Sequence, residues 1–142
     1  MADPQTKQLF GQVFFQALQP LLRRQNAERT LSSGKVGILL YLAEHGRATT
    51  TELAPVLQVS PQGISLAARE LERSQFVARL TDAEDRRRVW IELTDVGRQK
   101  LVEELAAGHE WFDRAVEKRL MQDERKALEA VIPILRKLGS AT

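Results

Sequence analysis

Residues 51–94 read TELAPVLQVSPQGISLAARELERS, then QFVARLT, the basic tip DAEDRRR and VWIELT. Two short helical patterns are followed by two β-rich segments around a charged loop, the order of a helix-turn-helix with a wing. Such a body presents a helix and a basic hairpin together, which suits the major groove and the neighbouring backbone or minor groove of duplex DNA.

Within the stretch, the first helix begins near Thr49 or Thr50 and turns Leu53, Ala54 and Leu57 inward, with Pro55 in or near its first turn. Gln58-Val59-Ser60 makes the turn, and Ser60-Pro61 reads as an N-cap followed by the first residue of the next helix. That helix has Ile64, Ala68 and Leu71 as its inward set, at i, i+4 and i+7. Gln62, Ser65, Leu66, Arg69 and Arg73 fall on the other side, where base edges and phosphates would lie. Cap and surface roles account for Ser60, Gln62, Ser65 and Arg69 equally simply. Thr49, Thr50 and Thr51 offer hydroxyls and amides at a helix start, suited either to a phosphate or to plain N-capping.

Phe76 to Thr81 and Val89 to Thr94 are expected to pair as an antiparallel hairpin, a two-stranded wing with Val89, Ile91 and Leu93 on one face. The loop from Asp82 to Arg88 has no glycine and is longer than a tight turn needs, so it projects. Arg86, Arg87 and Arg88 are consecutive there, more positive charge than Glu84 and Asp85 can neutralise. A solvated charged turn is the bland reading; the place behind a helix-turn-helix favours DNA.

Outward from this stretch the chain is helical. A first helix from about Thr6 to Arg24 carries Phe10, Val13, Phe14, Ala17, Leu18, Leu21 and Leu22 as an apolar stripe, kinked or interrupted at Pro20. A second follows Ser32, buries Val36, Leu39, Leu40 and Ala43, and stops at Gly46. Two more run from about Asp95 to Leu120, with Leu101, Leu105, Phe112, Val116 and Leu120, and from about Asp123 to Leu138, with Leu128, Val131, Ile132, Leu135 and Leu138 and a bend at Pro133. At 142 residues the chain is expected to be one domain of mainly α (α+β) class. A winged helix-turn-helix lobe would span residues 32–94, with helical dimerisation regions at 5–28 and 95–140. The terminal stripes need something to bury against, and a second copy of the chain supplies it; packing within one chain is the other solution.

Composition narrows the classes further. Lys and Arg number 21 against 19 Asp and Glu, so the placement of charge matters more than the net +2. The absence of cysteine excludes disulfides, thiolate metal sites and a cysteine redox switch. His45 and His109 lie far apart without a carboxylate at ligand spacing, which indicates neither a metal nor a catalytic dyad. With no Gly-rich phosphate loop, nucleophile elbow or carboxylate pair, no enzyme and no cofactor are expected. The start, MADPQTKQLF, is unlike a signal peptide, and the run from Val36 to Ala43 is too short for a bilayer, so a cytoplasmic location without membrane contact is expected.

The segments ELAPVLQVSPQGIS, LERSQFVARL and DAEDRRRVWIELTDVGRQKL resemble the MarR family of bacterial transcriptional regulators. The most specific element is D-x-R followed by a strand and Leu-Thr-x-x-Gly, here Asp85, Arg87, Leu93, Thr94 and Gly97. The resemblance implies a homodimer whose first, fifth and sixth helices interlock and whose two winged helix-turn-helices each read half of a near-palindromic operator. It further implies that Arg87 enters the minor groove and that Asp85 holds the wing in shape. Regulators of this kind often bind small aromatic or phenolic effectors between the dimerisation helices and the DNA-binding lobe. Phe14, Tyr41, His45, Trp111 and Phe112 are the residues that would line such a pocket, although aromatics at helical spacing are also ordinary core. The implied function is therefore a sequence-specific regulator, a repressor released by such a ligand; a winged-helix adaptor docking another protein is the alternative, and it has no need of three adjacent arginines.

Three departures from the family pattern stand out. Gln58 and Gln75 replace frequent glycines, and if either site needs positive φ the side chain costs about 1 kcal/mol there. Leu66 follows Ser65 where many relatives carry a basic residue, so it either meets a thymine methyl or packs.

Overall fold

The structure, a computed structural model, describes residues 4–140, with side chains from residue 9 onward. The two ends of the expected 1–142 domain lie outside the described residues. In chain order the elements are α1 (Pro4–Ala27), α2 (Ser33–His45), β1 (Ala48–Thr49), α3 (Thr50–Leu57), α4 (Pro61–Arg73), β2 (Val77–Thr81), β3 (Val89–Leu93), α5 (Asp95–Arg119) and α6 (Gln122–Gly139). They fall into two compact units, Met1–Gly108 and His109–Thr142.

In the first unit α2 is the central helix, packed against α3, α4 and β3. The Ser32 hydroxyl accepts from the Lys35 amide at its start, and Gly46 ends it at φ 84°. Val36 and Leu39 are buried as expected, but Ile38 and Leu42 are buried too, whereas Leu40 and Ala43 are only half-buried. Several partners cover α2, so its buried surface is wider than one stripe. Leu53 of α3, Ile64 and Leu71 of α4 and Ile91 of β3 close the core around it.

Thr49 caps α3 in a reciprocal box with Glu52: its hydroxyl accepts from the Glu52 amide at 3.2 Å, and its own amide donates to the Glu52 carboxylate at 3.4 Å. Pro55 lies in the second turn of α3 rather than the first. It is tolerated because it and Thr51, the residue whose carbonyl loses its donor, are both exposed to water. Gln58 ends α3 at φ 55°, and Gln75 follows α4 at φ 65°. Both departures from glycine thus occupy left-handed backbone.

The expected β2-β3 hairpin of the wing is present, and a short strand not expected from the sequence, β1, adds to it on the other edge of β3 to make three antiparallel strands in the order β1-β3-β2. Ala48 and Thr49 pair with Ile91 and Trp90. Two residues carry no alternation to read, yet they tie the connection after α2 to the wing. Strands β2 and β3 pair in register from Val77 opposite Leu93 to Thr81 opposite Val89.

Phe76 and Thr94 fall just outside those strands because they form a junction. The Thr94 amide donates to the Phe76 carbonyl at 3.1 Å, and the Thr94 hydroxyl donates to the Gln75 carbonyl at 2.6 Å while accepting from the Gly97 amide at 2.9 Å. A Cβ at position 97 would lie 1.9 Å from the Phe76 oxygen, so only glycine fits. The Leu-Thr-x-x-Gly signature is the seam that joins the end of α4, the wing and the start of α5.

A second seam was not foreseen. Glu104 of α5 is buried and accepts from the Thr30 and Leu31 amides at 3.0 and 3.2 Å, from the Thr30 hydroxyl, and from Lys100 Nζ at 3.2 Å. Burial pushes its pKa up, but the donors from Thr30, Leu31 and Lys100 prevail and hold the carboxyl below the usual carboxylate range. The helix α1 runs through Pro20 without interruption and leaves Leu9, Phe10, Val13 and Phe15 exposed, Phe10 at 73%.

In the second unit α6 runs through Pro133 and buries no residue. Its Leu128, Ile132, Leu135 and Leu138 are exposed, and Val131 is half-buried.

Replacing Gln75 by glycine removes the left-handed penalty on a side chain without touching the seam's backbone hydrogen bonds. We expect Gln75→Gly to raise unfolding stability by roughly 0.5 to 1 kcal/mol in a denaturant titration. A neutral or destabilised variant would mean that no strain resides at this turn.

Candidate nucleic-acid interface

The helix α4 starts at a satisfied cap, with the Ser60 hydroxyl accepting from the Gly63 amide at 3.1 Å and Pro61 as the first helical residue. Burial of Ile64, Ala68 and Leu71 fixes its rotation. Pro61, Gln62, Ser65, Leu66 and Arg69 consequently share the outward face, where they line a shallow concavity of about 390 Å³. Ser60, Pro61, Gln62 and Arg69 are exposed and Ser65 is half-buried. Leu66 is 60% exposed, so it is not a packing residue of its own chain.

The two glutamates of α4 are held by other elements. Glu70 pairs with Lys35 at 2.6 Å and Glu72 with Arg79 at 3.1 Å. The Lys35 ammonium holds Glu70 below the usual carboxylate range, and the Arg79 guanidinium does the same for Glu72. Arg69 and Arg73, both exposed, have no ion-pair partner among the described residues. The outward face is therefore the positive one.

At the wing tip Asp85 accepts from the Arg87 amide at 3.0 Å and lies 3.5 Å from Arg87 Nε. The Arg87 side chain remains 95% exposed. Arg86 is exposed beside it, and Arg88 places its guanidinium over the Trp90 ring at 5.4 Å. A second aspartate, missed in the sequence, does more of the holding. Asp82 Oδ1 accepts from the Glu84 and Asp85 amides at 2.9 and 3.4 Å, and its Oδ2 accepts from Trp90 Nε1 at 3.1 Å. The Glu84 amide, then the Trp90 indole, hold the Asp82 carboxyl below its ordinary value, while its slight burial opposes them. The available signal was an aspartate opening a turn, the pattern in which a carboxylate binds amides further along.

Of the threonines named as phosphate contacts, Thr49 is corrected: it is 3% exposed, and Glu52 occupies both its hydroxyl and its amide. Thr50 is half-buried and Thr51 exposed. Among the aromatic candidates of the first unit, Phe14 stacks on Phe10 at 6.3 Å and meets Phe15 edge-on at 5.6 Å. Tyr41 stacks on His45 at 4.3 Å, and His45 Nδ1 lies 3.2 Å from the Tyr41 carbonyl, a helix-end position. In the second unit Trp111 and Phe112 are tilted at 6.4 Å, and Trp111 borders a concavity of about 630 Å³ with Arg114, Ala115, Glu117, Lys118 and Arg119. No group of His, Cys, Asp or Glu among the described residues could hold a metal ion, and no described helix is long and apolar enough to cross a membrane.

The MarR family model matches residues 31–89, from the loop before α2 to the first residue of β3. An uncharacterized HTH-type transcriptional regulator of Bacillus subtilis (strain 168), YwhA, is 30% identical over 95 residues, which cover 67% of this chain and 68% of that protein. The chain belongs to the MarR family. The HTH-type transcriptional repressor MdtR of the same organism is 32% identical over 99 residues, covering 70% of this chain but 64% of MdtR, less than two thirds of its length. The crystal structure of a putative transcriptional regulator from Pseudomonas aeruginosa PA01 has a TM-score of 0.80 at 27% identity and covers 99% of this chain and 100% of that one. These MarR-type relatives are transcriptional regulators rather than enzymes.

Because Asp82 satisfies two turn amides and the indole, Asp82→Ala should speed hydrogen exchange at the Glu84 and Asp85 amides at least about tenfold. The core amides should keep their protection. Unchanged exchange at the tip would show that Asp85 alone maintains the wing.

Proposed function

We propose that this MarR-family chain is a transcriptional repressor that binds a pseudo-palindromic operator in double-stranded DNA as a homodimer. The observation that carries the proposal is the shared exposure of α4's outward face and the Arg87 tip on one compact unit. In each half, α4 enters the major groove. There Gln62, Ser65 and Arg69 reach base edges and phosphates, and exposed Leu66 is available to a thymine methyl. Arg73 and Thr51 lie at the two ends of the helix pair for backbone contact, and Arg87 reaches the minor groove with Arg86 beside it. Such work belongs in the cytoplasm, where the DNA is, and calls for no cofactor.

The dimer follows from unpartnered apolar surface. Phe10 and Val13 on α1, and Ile132 and Leu138 on α6, remain in water in a single chain. A second copy would cover them, and two-fold closure is the simplest way to do so. Repression is the role borne by the name of the MdtR relative. Control by a small aromatic or phenolic ligand is supported only by the exposed and half-buried rings of the two units. Such a ligand would act by binding the DNA-incompetent arrangement more tightly than the competent one.

Selection of bound fragments from genomic DNA supplies the operator, on which Arg87→Ala should weaken binding by roughly 1 to 3 kcal/mol while the dimer stays folded. Wild-type affinity should fall steeply with salt as counterions are released. A chain that ignores duplex DNA at low salt, or binds it without salt dependence, would leave the protein-docking adaptor in its place.

A further inference from the structure

Arg47 lies between α2 and β1, far in sequence from the wing, yet its guanidinium carbon sits 4.5 Å from the centre of the Trp90 ring. Arg88 approaches the same ring at 5.4 Å. The sheet makes this meeting, because Thr49 pairs with Trp90 across β1 and β3. Two like charges are thereby gathered on one indole. Neither has an ion-pair partner among the described residues. The carboxylate that Arg88 influences, Asp82, already has both oxygens engaged by the Glu84 and Asp85 amides and the indole N–H. Cation–π attraction holds each guanidinium over the ring, and the single Asp82 carboxylate answers the charge of Arg88 but not that of both arginines, so the pair keeps a net positive charge for an anion.

We infer that Arg47 and Arg88, both held over the Trp90 ring, form a phosphate-binding clamp at the base of the wing, engaging the DNA backbone beside the groove contacts of α4 and Arg87. A planar guanidinium offers paired N–H donors to phosphate oxygens, and the ring restricts the side chain before the ligand arrives. Asp82 fixes the platform through Trp90 Nε1, so the hydrogen bonds that shape the tip also set the clamp. The start of α3 at Thr50 lies one residue beyond the β1 pairing, which places the clamp between the helix-turn-helix and the wing tip.

The clamp rests on the DNA-binding reading, and a phosphate contact carries no base preference, so the test needs no operator. Binding of the full chain to a mixed-sequence duplex of roughly 30 base pairs, about three helical turns, is measured across a salt series. Arg47→Gln and Arg88→Gln should each lower affinity about five- to tenfold and reduce the salt slope by about one, as for one lost phosphate contact. Arg47→Lys should keep the slope, and circular dichroism should show the same fold in all three. If Arg87→Ala weakens binding while Arg47→Gln leaves affinity and slope unchanged, the clamp is wrong and the regulator stands. If the wild-type chain binds no duplex at low salt, both fall.

Discussion

What α4 and the wing present outward depends on the hand-over at Thr94. Its hydroxyl donates to the carbonyl of left-handed Gln75 and accepts from the Gly97 amide, while its own amide donates to the Phe76 carbonyl. The turn that follows α4, the residue before β2 and the first turn of α5 are thereby fixed to one another within a few ångströms. The absence of a side chain at Gly97 permits that proximity, since any Cβ would collide with the Phe76 carbonyl. A recognition helix can be aimed only if its end is anchored, and this seam anchors it to the hairpin that carries the arginines.

Electrostatics then separates two surfaces of the same small body. On α4 the glutamates are absorbed by Lys35 and Arg79, leaving Arg69 and Arg73 outward. On the wing the two aspartates shape the loop: Asp82 accepts from two amides and an indole, and Asp85 accepts from the Arg87 amide. A net charge of only +2 therefore conceals local positive charge, with Arg69 and Arg73 on α4 and three consecutive arginines at the wing tip.

The sequence was legible where the signal is local and periodic. The Ser60-Pro61 cap and the spacing of Ile64, Ala68 and Leu71 define α4 and its inward face, and the alternation of Val89, Ile91 and Leu93 defines β3. It was opaque where the partner is distant. Glu104 reads as one more helix charge until the fold brings Thr30, 74 residues away, into contact. Asp82 needs the register of the hairpin before Trp90 can reach it, and β1 is two residues long. Thr49 was ambiguous in a different way, because the same hydroxyl suits a phosphate or a cap, and Glu52 three residues on decided for the cap.

In the proposed dimer, two copies carry two anchored readers at the spacing of DNA. A hydroxyl-radical footprint of the protein on its selected operator tests it most directly. Two symmetric sets of protected backbone are expected, centred roughly 10 base pairs apart, one helical turn, each flanked by a minor-groove patch from the wing. A single asymmetric patch, or half-sites whose separation is unrelated to the helical repeat, would contradict it.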